Sequence, residues 1–403
     1  MRRKRRKKTR GCFGFLAGAV LVMCLPAVIL YMTGEDRKIG QKVKEAAEVF
    51  QVPFQEVTVQ EEELAGKYYY QLIGDEEKEI YKEILQGAAE SEKEIYIHSP
   101  DADRANELFQ YVLKDFPDFF WCDGTATSTA YSGSDPYTVM EPAYSCEGEE
   151  KDSMADQIEA SARECMAGIS SEASDYEKIL YVYEYIVNHV EYDLEAPDNQ
   201  NIYSVFVNGR SVCAGYSKAA QYLLERLGVF CTYVTGTALG GQSHAWNLVL
   251  CDGEYYYLDI TWGDPVFLAS EDSKEQYDNI SYDYMCCDES ELFKTHTPDP
   301  GTELPACTSM KDNYYVVNGM YYESYDGKAA LQKMNDAVSA GEESTVFKFS
   351  GSNVYRDAHD DIFQNQIQKA ARNLAEKYGL SQVSYRYVDN PDLNKIIIYW
   401  NYK

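Results

Sequence analysis

Apolar positions along the chain change period several times, and each change marks an element. Residues 11–34, GCFGFLAGAVLVMCLPAVILYMTG, carry no charge. About 20 apolar residues suffice to cross a bilayer core, so this run is expected to be a transmembrane helix. Residues 35–50 read as a polar helix leading away from it. In DEEKEIYKEILQGAAESEKEIYI a helical pattern gives way to a strand. DADRANELFQYVLKDFPDFFW reads as a helix begun at an Asp cap and stopped by Pro117. Residues 131–144 are turn-rich and strand-like. Residues 150–192 carry two helical patterns, with Ile179, Val182, Tyr185 and Ile186 recurring on one face. Residues 263–300 read as loops and short turns. Beyond residue 302, Asn318-Gly319 sits between two Tyr/Val-rich runs, a two-residue hairpin signal. Helices at 329–340 and 357–378 and strands at 344–349, 382–388 and 394–400 follow.

A chain of 403 residues exceeds one ordinary core and implies several folded units. The expected division is a basic cytoplasmic segment (1–10), a signal anchor (11–34), an N-terminal α+β region (35–149), a central domain (150–300) and a C-terminal α+β domain (301–403). Charge fixes the orientation. Eight of the first ten residues are Lys or Arg, and Glu35-Asp36 follows the apolar run. Positive charge stays inside, so residues 35–403 are expected outside a cell membrane crossed once. A cleaved signal peptide, or a lipid anchor at Cys24, is the rival, but the run is long for the first and Met23 is bulky for the second. The net charge of −29 excludes nucleic acid as a partner, since binding it needs basic neutralisation. No Asp/Glu spacing resembles a calcium loop.

Of eleven cysteines, Cys12 and Cys24 lie in the apolar run. The nine others are an odd number, which leaves at least one free thiol. The absence of a CxxC pair removes zinc and thioredoxin-like readings. Cys286-Cys287 is expected to carry one buried and one exposed side chain on a strand. His98 stands alone and reads as a surface or capping residue, and His189 as a helix-end cation.

One cysteine stands apart. In NGRSVCAGYSKAAQYLLERLG a turn-like stretch leads into a helical pattern that Gly228 ends. Cys213 thus sits at the helix start, where the dipole and free N–H groups favour a thiolate and could receive an oxyanion. Ala214-Gly215 leaves room for a substrate carbonyl. Taken alone, Cys213 reads as a small buried hydrophobe, because a nucleophilic thiol needs a base.

The base comes from a hairpin. Asp252-Gly253 in HAWNLVLCDGEYYYLDITW is a two-residue turn signal. Cys251 then faces Glu254, Trp246 faces Asp259, and His244 faces Thr261. Side chains alternate along a strand, so His244, Trp246 and Asp259 share a face. His244 and Asp259 become diagonal neighbours that long side chains can join. A slip of one residue would separate them. A carboxylate so placed fixes the imidazole tautomer and stabilises its cation. Trp246 could shield the pair, and Trp262 with Asp264-Pro265 shapes the following loop. Tyr216 and Gln242 lie near the triad in sequence.

The blocks SVCAGYSKAAQYLLERLG, SHAWNLV and YYYLDITWGDP together resemble the transglutaminase-like superfamily, in its bacterial branch, over roughly residues 170–300. The resemblance implies an α+β, papain-like core: a nucleophile helix carrying Cys213 packed on an antiparallel sheet carrying His244 and Asp259. It implies acyl transfer through a thioester at Cys213, on amide bonds of protein or cell-wall peptide, hydrolytic rather than crosslinking. It calls for no cofactor and no metal. The alternative is a catalytically inactive surface module that uses the fold for binding or cell-wall organisation.

Overall fold

The computed structural model describes residues 52–265, 267, 279–381 and 383–402. The expected transmembrane run at 11–34 and the polar helix after it lie outside the described residues. Among the described residues no helix is long and apolar enough to cross a membrane. Residues Glu56–Lys403 form one unit of mixed α+β construction, built on antiparallel sheets.

The first elements follow the pattern of the chain. Helix Asp75–Ala89 leads to β1 (Ile95–Ile97), then helix Ala102–Asp115, then the hairpin of β2 (Cys122–Tyr131) and β3 (Tyr137–Tyr144). Asp101 caps the second helix by accepting from the Arg104 N–H at 3.0 Å, a cap of about 1 kcal/mol. The helix stops at Asp115, just ahead of Pro117, because proline drives the residue before it out of the α region. Helices Gly148–Met166 and Asp175–His189 come next. Ser174 and Glu177 open the latter with a reciprocal capping box. Ile179, Val182 and Ile186 face the core; Tyr183, rather than the half-buried Tyr185, completes the stripe.

β4 (Glu191–Tyr192) and β5 (Arg210–Ser211) pair in parallel just before helix Cys213–Arg226. That helix packs on a five-stranded sheet of β6 (Cys231–Ala238), β7 (Gln242–Cys251), β8 (Glu254–Leu258), β9 (Met285–Cys287) and β10 (Thr297–Pro298). The strand order is β10-β6-β7-β8-β9. Asp252 and Gly253 both take positive φ, 49° and 85°, as the expected turn requires. The pairs Asn247↔Leu258 through Cys251↔Glu254 hold the expected register. Two strands come from the 263–300 stretch expected to be loops. At two and three residues, β9 and β10 are too short to leave a periodic trace.

Both faces of this sheet are covered. On one, Val249, Cys251, Tyr256 and Leu258 join a core that runs from Leu64 to Cys286. On the other, Val234, Trp246, Leu248 and Tyr257 pack with Trp262, Phe267, Tyr284 and Cys287. The expectation for Cys286-Cys287 fails here: both are fully buried. The β8–β9 register shifts beside them and Cys286 takes φ 53°, so each thiol enters a different core.

The C-terminal elements are β11 (Tyr321–Tyr322), helix Gly327–Ala340, β12 (Ser344–Phe349), helices Ser352–Asp361 and Ile367–Tyr378, β13 (Tyr385–Asn390) and β14 (Lys395–Trp400). A π-helical turn, Ile362–Gln366, joins the two later helices. The sheet order is β11-β12-β14-β13, over a core that includes Met334, Phe347, Leu374 and Ile398. Asn318-Gly319 makes no hairpin. Asn313 caps a helical turn at Tyr314–Val317, and Gly319 ends it with φ 62°. Asn318 keeps φ −91°, whereas the hairpin turn needs positive φ at both positions.

Gly236 of β6 lies opposite Pro298 of β10 on one side and His244 of β7 on the other. A Cβ there would strike the Thr297 carbonyl and stand 2.6 Å from Trp246 Cη2. Gly236→Ala is expected to lower unfolding free energy by about 1–3 kcal/mol, read from urea denaturation. A loss under about 0.5 kcal/mol, the range of ordinary surface changes, would show that this approach is not tight.

Candidate active site

Cys213 is the first residue of its helix, and the extended Val212 before it offers no side-chain cap. The first N–H groups of a helix have no intrahelical acceptor, so the positive end of the dipole stands at the thiol. Cys213 is partly exposed; of the other described cysteines only Cys122 is not buried. Burial pushes the Cys122 thiol up to about 12, which sets it apart from Cys213 at the helix start. Gly215 serves packing rather than substrate access. A Cβ there would overlap Ser211 Oγ and stand 3.1 Å from the Asn199 carbonyl.

His244 is where the hairpin register places it. Its Nε2 lies 2.7 Å from Asp259 Oδ2. The β7–β8 ladder ends at Leu258, so the expected Trp246–Asp259 pair falls just past its end, and Thr261 belongs to the turn Thr261–Gly263. Asp259 is held instead by its own N–H, which bonds the Tyr284 carbonyl at 3.0 Å, and by the Trp262 N–H on Oδ1 at 3.3 Å. With Nε2 committed to Asp259, the other ring nitrogen of His244 is left for Cys213, which is near enough to help raise the imidazole. Helix, strand and loop thus bring Cys213, His244 and Asp259 together.

Burial works against a charged His244 imidazole. The Asp259 carboxylate and its hydrogen bond outweigh it, with a smaller effect from Cys213, and raise His244 to about 10. Burial likewise opposes an ionised Asp259, but the two histidines around it hold its carboxyl well below the usual range. The pair is therefore a buried carboxylate matched to an imidazole that readily takes a proton.

The second of those histidines, His296, is absent from the sequence reading. Its Nε2 lies 2.9 Å from the same Asp259 Oδ2. Thr295 Oγ1 stands 2.8 Å from its Nδ1 and 2.7 Å from the Tyr284 hydroxyl. Trp246, Trp262 and Tyr284 surround the ring, with centroids 5.1–5.2 Å away. His296 follows His244 by 52 positions and shares no motif with it. The only local sign was a histidine in a chain that has five.

His244, Asp259 and His296 have ligand-capable atoms within 4.8 Å of one another. Donors around a tetrahedral zinc, each about 2.1 Å from the metal, stand about 3.4 Å apart. The 2.7 and 2.9 Å separations here are those of N–H···O bonds. The cluster as it stands is a hydrogen-bonded one.

The remaining candidates divide. The Trp246 ring lies beside His244, centroids 6.1 Å apart, and Phe267 lies on the ring at 6.4 Å. Both shield the imidazole from water. Tyr216 is buried and structural, its hydroxyl bonding the Val190 carbonyl and Asp264 Oδ2 at 2.9 and 2.8 Å. Asp264 thereby ties the loop after the sheet to the nucleophile helix. Gln242 is exposed at the start of β7. His98 pairs with Glu83, and His189 bonds the Tyr185 carbonyl at its helix end.

Residues 160–260 match the model of the transglutaminase-like superfamily. The chain carries a transglutaminase-like domain. The chain is 29% identical over 134 residues to the mouse protein named kyphoscoliosis peptidase, and 28% identical over 134 residues to its human counterpart. Each alignment covers 28% of this chain and 20% of the relative, so the chain spans about a fifth of those proteins' length. A solved TGase structure overlaps 42% of this chain and 50% of its own, at 17% identity and a TM-score of 0.25.

The raised His244 has a consequence for stability. Its charged form stabilises the fold fully below about pH 6.5, and the gain disappears as pH climbs through about 10. Asp259→Asn removes the cause of the shift. Wild-type urea midpoints are expected to fall between pH 6.5 and 10, with Asp259→Asn showing a flatter limb. Parallel curves for the two proteins would contradict the assigned cause.

Proposed function

We propose that the protein is a cysteine acyl-transfer enzyme that cleaves amide bonds in a protein or peptide. The observation that carries this reading is His244, bonded to the buried Asp259 and influenced on its other side by Cys213 at a helix start. His244 holds the proton given up by the thiol, and Sγ attacks the carbonyl carbon. The tetrahedral oxyanion forms beside the backbone N–H groups at the helix start. As the intermediate collapses, the C–N bond breaks and His244 gives its proton to the leaving amine. Water then attacks the Cys213 thioester, releasing the carboxylate and restoring the thiol. Asp259 keeps its charge throughout and stabilises the imidazolium.

Hydrolysis rather than crosslinking is supported by the resemblance to bacterial members of the superfamily. The word peptidase in the names of the mouse and human relatives points the same way. The uncharged run at 11–34, behind a basic block, supports a place for this chemistry outside a membrane.

Cys213→Ala is expected to abolish both iodoacetamide labelling of the folded protein at neutral pH and peptide release from cell-surface protein extract. His244→Gln should slow labelling by about 10²–10⁴-fold, the usual reach of a general base. Undiminished labelling in Cys213→Ala would overturn the assignment of the nucleophile. Amine incorporation without peptide release would replace hydrolysis by transfer.

A further inference from the structure

Two lysines in the C-terminal sheet occupy positions that burial disfavours. Lys348 of β12 and Lys395 of β14 are direct cross-strand partners, and they are 0% and 1% exposed. Like charges opposite one another destabilise a sheet, and a buried cation requires a partner. Both find partners outside that sheet. Lys348 Nζ lies 2.7 Å from Glu291 Oε2, 2.7 Å from the Leu393 carbonyl and 3.4 Å from Asp283 Oδ1. Lys395 Nζ contacts Asp283 Oδ2, which also accepts from Ser281 Oγ at 2.7 Å. Asp283 and Glu291 are themselves buried, 3% and 4% exposed. Lys294, partly exposed, takes the other Glu291 oxygen at 2.7 Å.

The two acids lie on the segment that holds the catalytic carboxylate. Residues 281–298 begin at Ser281, whose carbonyl accepts from the Tyr183 hydroxyl at 2.7 Å. Tyr284, next to Asp283, supplies the carbonyl that takes the Asp259 N–H. Glu291 sits in the helical turn Glu289–Leu292, and the Leu292 carbonyl accepts the His296 N–H at 3.0 Å. His296 then reaches Asp259 Oδ2. Asp259 is thus gripped at its backbone next to one clamped acid and at its carboxylate a few residues past the other.

We propose that Lys348 and Lys395 are positioning residues for the active site: through Asp283 and Glu291 the C-terminal sheet fixes the segment that orients Asp259 and His296. Apolar residues of similar volume would bury at lower cost than these ions. What paired charges add is a defined seat for the segment, and the segment's other function is to hold Asp259. The role in catalysis rests on the proposed function; the role in fixing the two imidazoles does not.

The test follows the imidazole N–H protons bound to Asp259, read as low-field signals of the full chain with ¹⁵N-labelled histidine, together with the rate of Cys213 alkylation by iodoacetamide at pH 7. His244→Gln and His296→Gln assign the two signals. Lys348→Met leaves Glu291 with Lys294 alone and cuts its tie to the C-terminal sheet, and Glu291→Gln weakens the same tie while keeping its shape. Met334→Ala, in the C-terminal core away from the clamp, supplies a loss of stability alone. Lys348→Met and Glu291→Gln are expected to shift or broaden both signals and to slow alkylation by roughly 10–100-fold, as small misplacements do. Met334→Ala should keep both readouts at wild-type values even where its urea midpoint falls further. Unchanged signals in both clamp variants, or equal changes in Met334→Ala, would overturn the proposal. If Lys348→Met does not fold, Glu291→Gln decides alone. An unreactive wild-type Cys213 with signals that still move in the clamp variants removes the enzymatic reading and leaves the clamp standing.

Discussion

One carboxylate oxygen, Asp259 Oδ2, accepts hydrogen bonds from two histidines that arrive from different parts of the chain. Asp259 is fully buried, so its charge is sustained only by what surrounds it. Each donor that reaches it carries a length of backbone into place. His244 brings β7, His296 brings the turn before β10, and the Trp262 N–H on Oδ1 closes the loop after β8. The aromatic walls of Trp246, Trp262, Phe267 and Tyr284 keep water from competing for these bonds. Removing any one donor leaves a desolvated acceptor, a cost of about 1–3 kcal/mol or more where charge is involved.

The part of the site legible in the sequence was the part made by local rules. Asp252-Gly253 set a turn of known length, the turn set the register, and the register put His244 beside Asp259. Cys213 was legible because a helical pattern with a marked end has a start that can be counted back. His296 was not, because nothing local ties it to Asp259. Its position follows from β10 pairing with β6, a two-residue strand whose partner choice is tertiary. The same limit hid β9. Asn318-Gly319 misled for a related reason: its residues permit a hairpin, but Asn313 capped the preceding turn and made Gly319 a helix terminator.

The C-terminal elements from Gly327 onward were readable as helices and strands, since each is long enough to show its period. What could not be read was the orientation of Lys348 and Lys395. In sequence they look like ordinary exposed positions in two strands. In the fold both cations face an acidic segment and become interior groups. Charge identity was visible; the geometry that buries it was not.

The clamp also bears on how far this protein can be treated as modular. A fragment ending at residue 300 would keep Asp283 and Glu291 and lose both lysines that neutralise them. It would also lose Cys307 and Leu393 from the core around Trp262. The residues that look most like a self-contained enzyme are therefore a poor unit for transplantation. The smallest portable piece is the one that carries its counter-ions with it, and that piece reaches at least to Trp400.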